Sequence, residues 1–300
     1  MAPRRGNPRM EAGPLPDGVV TTVMTMKSAD GARIPGVLFT VPGSRAVATV
    51  MHPRLDMTRH YLTSLLTAAG ISVFTQGTRA VGNDVALIHE QALLDAACGF
   101  ARLRDLGFET VVAVGASGGG PLYAFYIQQA ARAGLDRLQL TPAGEPTGFA
   151  TAEMPLPDAI AFVAAHPGQG ELLLGCIDPA VADETNPRQT IAALDLFSTA
   201  NGFVPAFDSS AYSAEFLMGY RHAQRDRVAR IDARARALLA ERATSAARWE
   251  AGKRPEDRRL SELAEVITVY RTDADPRNVD LSLDPSDRPY GSVQASRPDV

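Results

Sequence analysis

Thr110-Val-Val-Ala-Val-Gly115-Ala-Ser117-Gly-Gly-Gly120 is the stretch on which the reading of this 300-residue chain turns. Thr110–Val114 is a continuous apolar run of the kind a buried parallel strand needs. Residues from Gly119 to Ala133 then read as a helix. Between them lies Gly115-Ala116-Ser117-Gly118-Gly119, a G-x-S-x-G in the strand-to-helix setting that gives the pattern its meaning. So sharp a turn forces its serine into a strained backbone conformation, and side chains two before and two after it would collide. Gly115 and Gly119 remove those collisions. The turn lifts the Ser117 hydroxyl above the sheet edge at a helix N-terminus, where the dipole and free N–H groups favour developing negative charge. Phosphate-binding readings fail on residue identity. A dinucleotide loop needs glycine where Tyr123 stands, and a P-loop needs lysine where Pro121 follows Gly120.

Upstream, Val19–Met26 alternates and is β-branched, and a turn at Ser28–Gly31 joins it to Ile34–Val41 as a hairpin. Ala46–Met51 and Ile71–Thr75 read as buried strands, and Leu172–Cys176 as a sixth. Met57–Ala69 and Asp84–Leu106 carry helical spacing and end at Gly70 and Gly107. Strands alternating with helices predict an α/β fold: a mostly parallel sheet with helices on both faces. After Asp183 the texture shifts to Arg, Ala and Glu at helical spacing. The expected organisation is a disordered lead-in at 1–18, a core at 19–183, a helical lid at 184–290 and a tail at 291–300.

Composition narrows the function classes. No run of 18 apolar residues appears, so no membrane span is expected. Arg4, Arg5 and Arg9 precede no apolar run, so the N-terminus does not read as a secretory signal. Cys98 and Cys176 are too few for a disulfide framework or a zinc site, and no metal or organic cofactor is implied. A formal charge of −4 gives no electrostatic case for nucleic acid. A cytoplasmic setting is expected. The Arg-rich run Arg221–Arg259 is interleaved with acids and reads as a salt-bridged solvated helix.

The strand order and the serine turn together resemble the α/β-hydrolase fold superfamily over about Val19–Asp183. The stretches Gln76–Asp84, Cys176–Glu184 and Leu281–Arg288 look like a bacterial subgroup of it with a helical lid. The resemblance implies an oxyanion N–H from the loop after the third strand. Met51-His52-Pro53-Arg54 occupies that place, and Pro53, which replaces the family's glycine, has no N–H to donate. The Arg54 N–H is therefore the expected donor, with the Gly118 N–H as its partner.

The resemblance also implies an acid and then a histidine late in the chain. Of His52, His60, His89, His166 and His222, none stands after a last strand. His60 and His89 read as helix-packing residues, His166 as a helix-end cap and His222 as solvated. Val266–Tyr270, followed by Asp273 and Asp275, imitates a seventh strand with its acid, but the resemblance puts it within the lid. Asp178 is a candidate acid that reads better as a structural turn. The expectation is a C-terminally shortened hydrolase lacking its last core strands, its sheet edge open to pairing.

The function implied is that of a serine hydrolase acting on a carboxylic ester or thioester of a small apolar acyl group through a Ser117 acyl-enzyme. The rivals are an acyltransferase using the same serine, and a non-catalytic fragment or binding module that keeps the fold. Substrate, base, acid and self-association into a homo-oligomer are left open.

Overall fold

In the computed structural model of the chain, residues 13–205, 209–263 and 265–283 are described. The expected tail at 291–300 and the first twelve residues of the expected lead-in lie outside them. The chain divides into two compact units, one ending at Gly168 and the other beginning at Gln169.

The first unit is built on one six-stranded sheet. Its strands are β1 (Val20–Lys27), β2 (Arg33–Thr40), β3 (Ala46–Met51), β4 (Ser72–Gln76), β5 (Thr110–Ala116) and β6 (Ala159–Val163), in the order β1-β2-β4-β3-β5-β6. The hairpin strand β2 pairs antiparallel with both β1 and β4, and the remaining ladders are parallel. Three helices cover the sheet: α1 (Leu62–Ala68), α2 (His89–Asp105) and α3 (Gly119–Ala130).

Alternation along β3 shows how both faces are buried. Val47 and Met51 join a cluster with Leu93, Phe100 and Leu103 of α2 and Tyr123 and Tyr126 of α3. Ala48 and Val50 point the other way, into a cluster that includes Leu62 and Leu66 of α1. Strands apolar on both sides lose their period-2 signature and read as unbroken apolar runs. The fold is thus the mostly parallel, doubly covered α/β-hydrolase-like sheet that the sequence predicts.

Leu172–Cys176, expected as a strand, is helical: α4 spans Gln169–Cys176 in the second unit. The sixth strand is Ala159–Val163. Both are short apolar runs, and four or five such residues carry no usable period. Their partners decide between them. Asp158 seeds β6 by donating its N–H to the Val111 carbonyl (2.9 Å) and accepting the Val111 N–H on its carboxylate (2.6 Å). The Gly175 carbonyl of α4 instead accepts from Arg221 and Gln224 (2.9 and 3.0 Å), side chains of a long helix.

That helix, α5 (Ala214–Gly252), starts at Ser213, whose hydroxyl accepts the Phe216 N–H (3.1 Å). It ends at Lys253, and α6 (Pro255–Glu262) opens with proline at its first turn. Val266–Tyr270 forms neither helix nor strand. Much of the charge on α5 is solvated and paired as expected, for example Asp232 with Arg236 (2.7 Å), and His222 is exposed beside Asp226 (3.5 Å). Among the described residues no helix is long and apolar enough to cross a membrane.

Arg227 departs from that reading. It is fully buried and grips Glu184 with two 2.7 Å bonds. It also donates to the carbonyls of Asp178 (2.7 Å) and Tyr270 (2.9 Å). Asp178, a candidate acid on sequence, pairs with Arg271 (2.6 Å) and accepts the Ala180 N–H (2.8 Å). Burial pushes its carboxyl up despite those partners. Asp275 accepts from Arg221 (2.9 Å) and Arg277, and burial, with the Asp275 charge nearby, pushes the Asp273 carboxyl up. Asp275 thereby fastens the segment after α6 to α5, and Asp178 ties the same segment, through Arg271, to the chain after α4.

Cutting out one member of a buried ion pair strands the other charge, at a cost of about 3–5 kcal/mol. Arg227→Ala should lose about that much in urea unfolding read by Trp249, the single tryptophan, on α5. Arg236→Ala should leave the midpoint where it is.

Candidate active site

In an open α/β sheet the crevice forms beyond the carboxyl ends of the strands, where successive crossovers part company. Here the chain leaves β3 towards β4 and leaves β5 towards β6, on opposite sides. The residues at those strand ends therefore border the crevice. His52 directly follows β3, Ser117 directly follows β5, and His166 comes three residues after β6.

Ser117 is exposed and holds φ +51, a left-handed conformation that costs a non-glycine residue about 1–2 kcal/mol. Its N–H continues the sheet by donating to the Val163 carbonyl (3.0 Å). Close approach explains the glycines around it. A Cβ on Gly115 would lie 2.5 Å from the Gly120 Cα, and one on Gly119 would run into the Met51 carbonyl oxygen. Gly120 obeys the same constraint, which the spacing argument did not require: its Cβ would lie 2.5 Å from the Ala165 Cβ. Underneath, the Tyr123 hydroxyl of α3 bonds Thr49 of β3 (3.1 Å), tying the new helix to the neighbouring strand.

Gly118 marks where the site converges. A Cβ there would lie 2.7 Å from His52 Nε2 and 3.4 Å from His166 Nε2. Neither imidazole was expected to approach the serine as a working group. His52 is buried, and its Nδ1 accepts the N–H groups of Arg54 and Leu55, each at 3.1 Å. The Arg54 N–H, expected to face an oxyanion, is thus spent on His52. Behind this turn, the Thr78 hydroxyl donates to the Pro53 carbonyl (2.9 Å) and the Gly82 N–H to the Arg54 carbonyl (3.3 Å). The stretch Gln76–Asp84 therefore braces the His52 turn.

That brace is anchored in turn. Asp95, fully buried on α2, accepts the Arg79 N–H (2.9 Å) and the Arg79 guanidinium (2.6 Å). Burial pushes the Asp95 carboxyl up, and Arg79 opposes the shift. Arg79 also pairs with Asp30 in the hairpin turn. That hydrogen bond holds the Asp30 carboxyl down at about 2.

His166 is half-buried, and its Nδ1 accepts the Gly168 N–H (3.1 Å). It is not a helix cap. Burial lowers its readiness to take a proton below that of an ordinary imidazole. Ala164, at φ +47, turns the chain after β6. Two non-glycine residues in left-handed backbone, Ser117 and Ala164, thus flank one site, the pattern seen where strain is kept for function. The sequence signal for His166 was the run Ala159–Val163; once that run is the strand, Ala-Ala-His falls in its exit loop. Among the described residues no three His, Cys, Asp or Glu side chains cluster as a metal site would require.

No protein-family model matches the sequence, and no curated protein matches it. Part of the chain is similar to solved hydrolase structures. A post-proline cleaving enzyme from Rickettsia typhi aligns at 15% identity and TM-score 0.34, over 38% of this chain and 19% of that one. Prolyl oligopeptidase B from Galerina marginata aligns at 19% identity and TM-score 0.33, over 37% and 18%. Brefeldin A esterase, a bacterial homologue of human hormone-sensitive lipase, aligns at 24% identity and TM-score 0.34, over 41% and 39%. The chain thus spans about a fifth of the length of the prolyl peptidases and two fifths of the esterase.

Two outcomes are expected from this geometry. Gly119→Ala should lower the stability of the first unit by about 1–3 kcal/mol, the range for overpacking, in a thermal melt. Asp30, whose folded carboxyl lies below its unfolded value of 3.8, contributes stability above pH 3.8 that is lost as pH falls towards about 2. Asp30→Asn should remove that part of the acid-unfolding curve and leave the rest.

Proposed function

We propose that this chain forms an acyl-enzyme at Ser117 and hydrolyses carboxylic esters or thioesters of small apolar acyl groups. The observation that carries the reading is the exposed Ser117 hydroxyl in left-handed backbone between β5 and α3. A serine held so, at glycines that admit nothing larger, is presented outward at an energetic cost that packing alone does not call for. Ser117 Oγ attacks the carbonyl carbon, the acyl group moves to the serine, and water releases the acid. An acyltransferase would share the first half of that cycle and differ only in the acceptor.

One observation favours the non-catalytic alternative. The neighbouring imidazoles each accept a backbone N–H on Nδ1, so neither neutral ring offers Nε2 as a lone pair for the serine proton. A binding module would keep its ligand without Ser117, and an enzyme would lose turnover.

A fluorophosphonate probe separates these readings. The expected result is an adduct mapped to Ser117 by mass spectrometry, lost on denaturation and in Ser117→Ala. Hydrolysis of p-nitrophenyl butyrate should fall by about 10⁴-fold or more in the same variant, as when a serine nucleophile is removed. A folded wild-type chain that takes no label would overturn the hydrolase reading.

A further inference from the structure

We propose that β6 is a dimer edge: two copies of this chain pair antiparallel along Ala159–Val163 and join their sheets into one. This holds whether or not Ser117 is a nucleophile.

Edge strands of folded proteins are guarded by lysine, by inward charge, by proline or by a covering element. The β6 edge has none of these within the strand. It ends the sheet, and among the described residues no strand pairs with its outer side. Its five residues, Ala-Ile-Ala-Phe-Val, include no polar side chain. The opposite edge, β1, carries three threonines and a lysine in eight residues. Strands of parallel ladders are ordinarily buried on both faces, and β5 follows that rule over most of its length. In β6, by contrast, Ala159, Ala161 and Phe162 are exposed, Phe162 by 58%, and Ile160 and Val163 are half-buried.

The helix packed on this strand repeats the pattern. A Cβ on Gly120 of α3 would lie 3.2 Å from the Phe162 ring. None of the twelve residues of α3 is charged, although Ala124 and Gln128 are exposed. A surface helix normally carries charge on its solvent side, and an uncharged one is normally covered. On the same face of the sheet, α2 carries Glu90, Arg102, Arg104 and Asp105.

Self-complementarity selects a second copy as the cover. In a twofold antiparallel pair centred on Ala161, Ile160 stands opposite the partner's Phe162 and Ala159 opposite the partner's Val163. Residues directly opposite share a face. The two large side chains therefore meet on the α3 side, and the smaller ones meet on the other. No charge is buried by this pairing, because Asp158 lies outside the strand and is held by Arg104 and the Val111 N–H. Pro157 and Pro167 bracket the strand and have no N–H to add to a ladder, so the paired segment stays short. Each copy spends the same edge, so the contact closes at two copies and cannot grow. Two six-stranded sheets become one of twelve.

Sedimentation of the full chain between about 1 and 300 μM should show a reversible monomer–dimer equilibrium with a midpoint of about 10 μM, as suits a small interface. Hydrogen exchange in peptides covering β6 should slow at the higher concentration. Ala161→Lys sets two like charges opposite each other and should raise the dimer dissociation constant about tenfold or more. Ala161→Glu should do the same, and an equimolar mixture of the two variants should dimerise again. Val23→Lys, on the exposed edge of β1, should leave association unchanged. Phe162→Lys supplies a second block, and a thermal melt of each variant shows that it is folded. A wild-type chain that stays monomeric throughout overturns the proposal. So does a dimer that persists in folded Ala161→Lys and Phe162→Lys, or one that leaves exchange in β6 unchanged. Failure of the mixed variants to dimerise overturns the antiparallel register centred on Ala161.

Discussion

Left-handed backbone at Ser117 is the constraint from which the rest of the first unit can be reasoned. A chain leaving a parallel strand and entering a helix without a spacer has to reverse within a few residues, and φ +51 at Ser117 is how it does so. The reversal pulls Gly115 against Gly120 and Gly119 against the Met51 carbonyl. Nothing larger than hydrogen fits at those places. Around that turn, the Ser117 N–H completes the ladder to β6, and Tyr123 ties α3 to β3. The strain is local, and the bonds that sustain it come from two neighbouring strands.

The two histidines show a second layer of the same logic. Neither is held by its own strand alone. His52 depends on a turn braced from Gln76–Asp84, and that brace depends on Arg79, whose backbone and side chain are both fixed by the buried Asp95 of α2. A charge buried in a helix on one face of the sheet thereby sets the position of an imidazole at the strand ends. Removal of Asp95 would be felt first as lost order in the His52 turn. His166 depends instead on where β6 ends, and on Ala164 accepting an unfavourable backbone angle.

Much of the sheet was legible in the sequence because its signals are local. The β-branched alternation of β1, the apolar runs of β3 and β5 and the glycine spacing at Ser117 each carry their meaning within about ten residues. The sixth strand was not legible, because Ala159–Val163 and Leu172–Cys176 have the same texture and differ only in what they meet. His166 was obscured with it, since its position relative to the serine follows from that choice. Spacing alone also does not show that the Arg54 N–H has an acceptor two positions earlier, in the ring of His52. Arg227 hides among solvated arginines, and no feature of the run around it marks which arginine is fully buried.

Arg227 also bears on how the second unit forms. Its partners are 43 residues away on either side, at Glu184 and Tyr270, and 49 away at Asp178. Closing loops of that size is entropically costly and gains nothing until the far segments arrive. The helix around Arg227 can therefore grow early from its own local bonds, while its guanidinium waits for three distant carbonyl and carboxylate groups. Contacts that form late hold the native state together without hastening its formation. In kinetic terms the clasp acts as a brake on unfolding: it lengthens the lifetime of the folded second unit and leaves its refolding rate set by the helix.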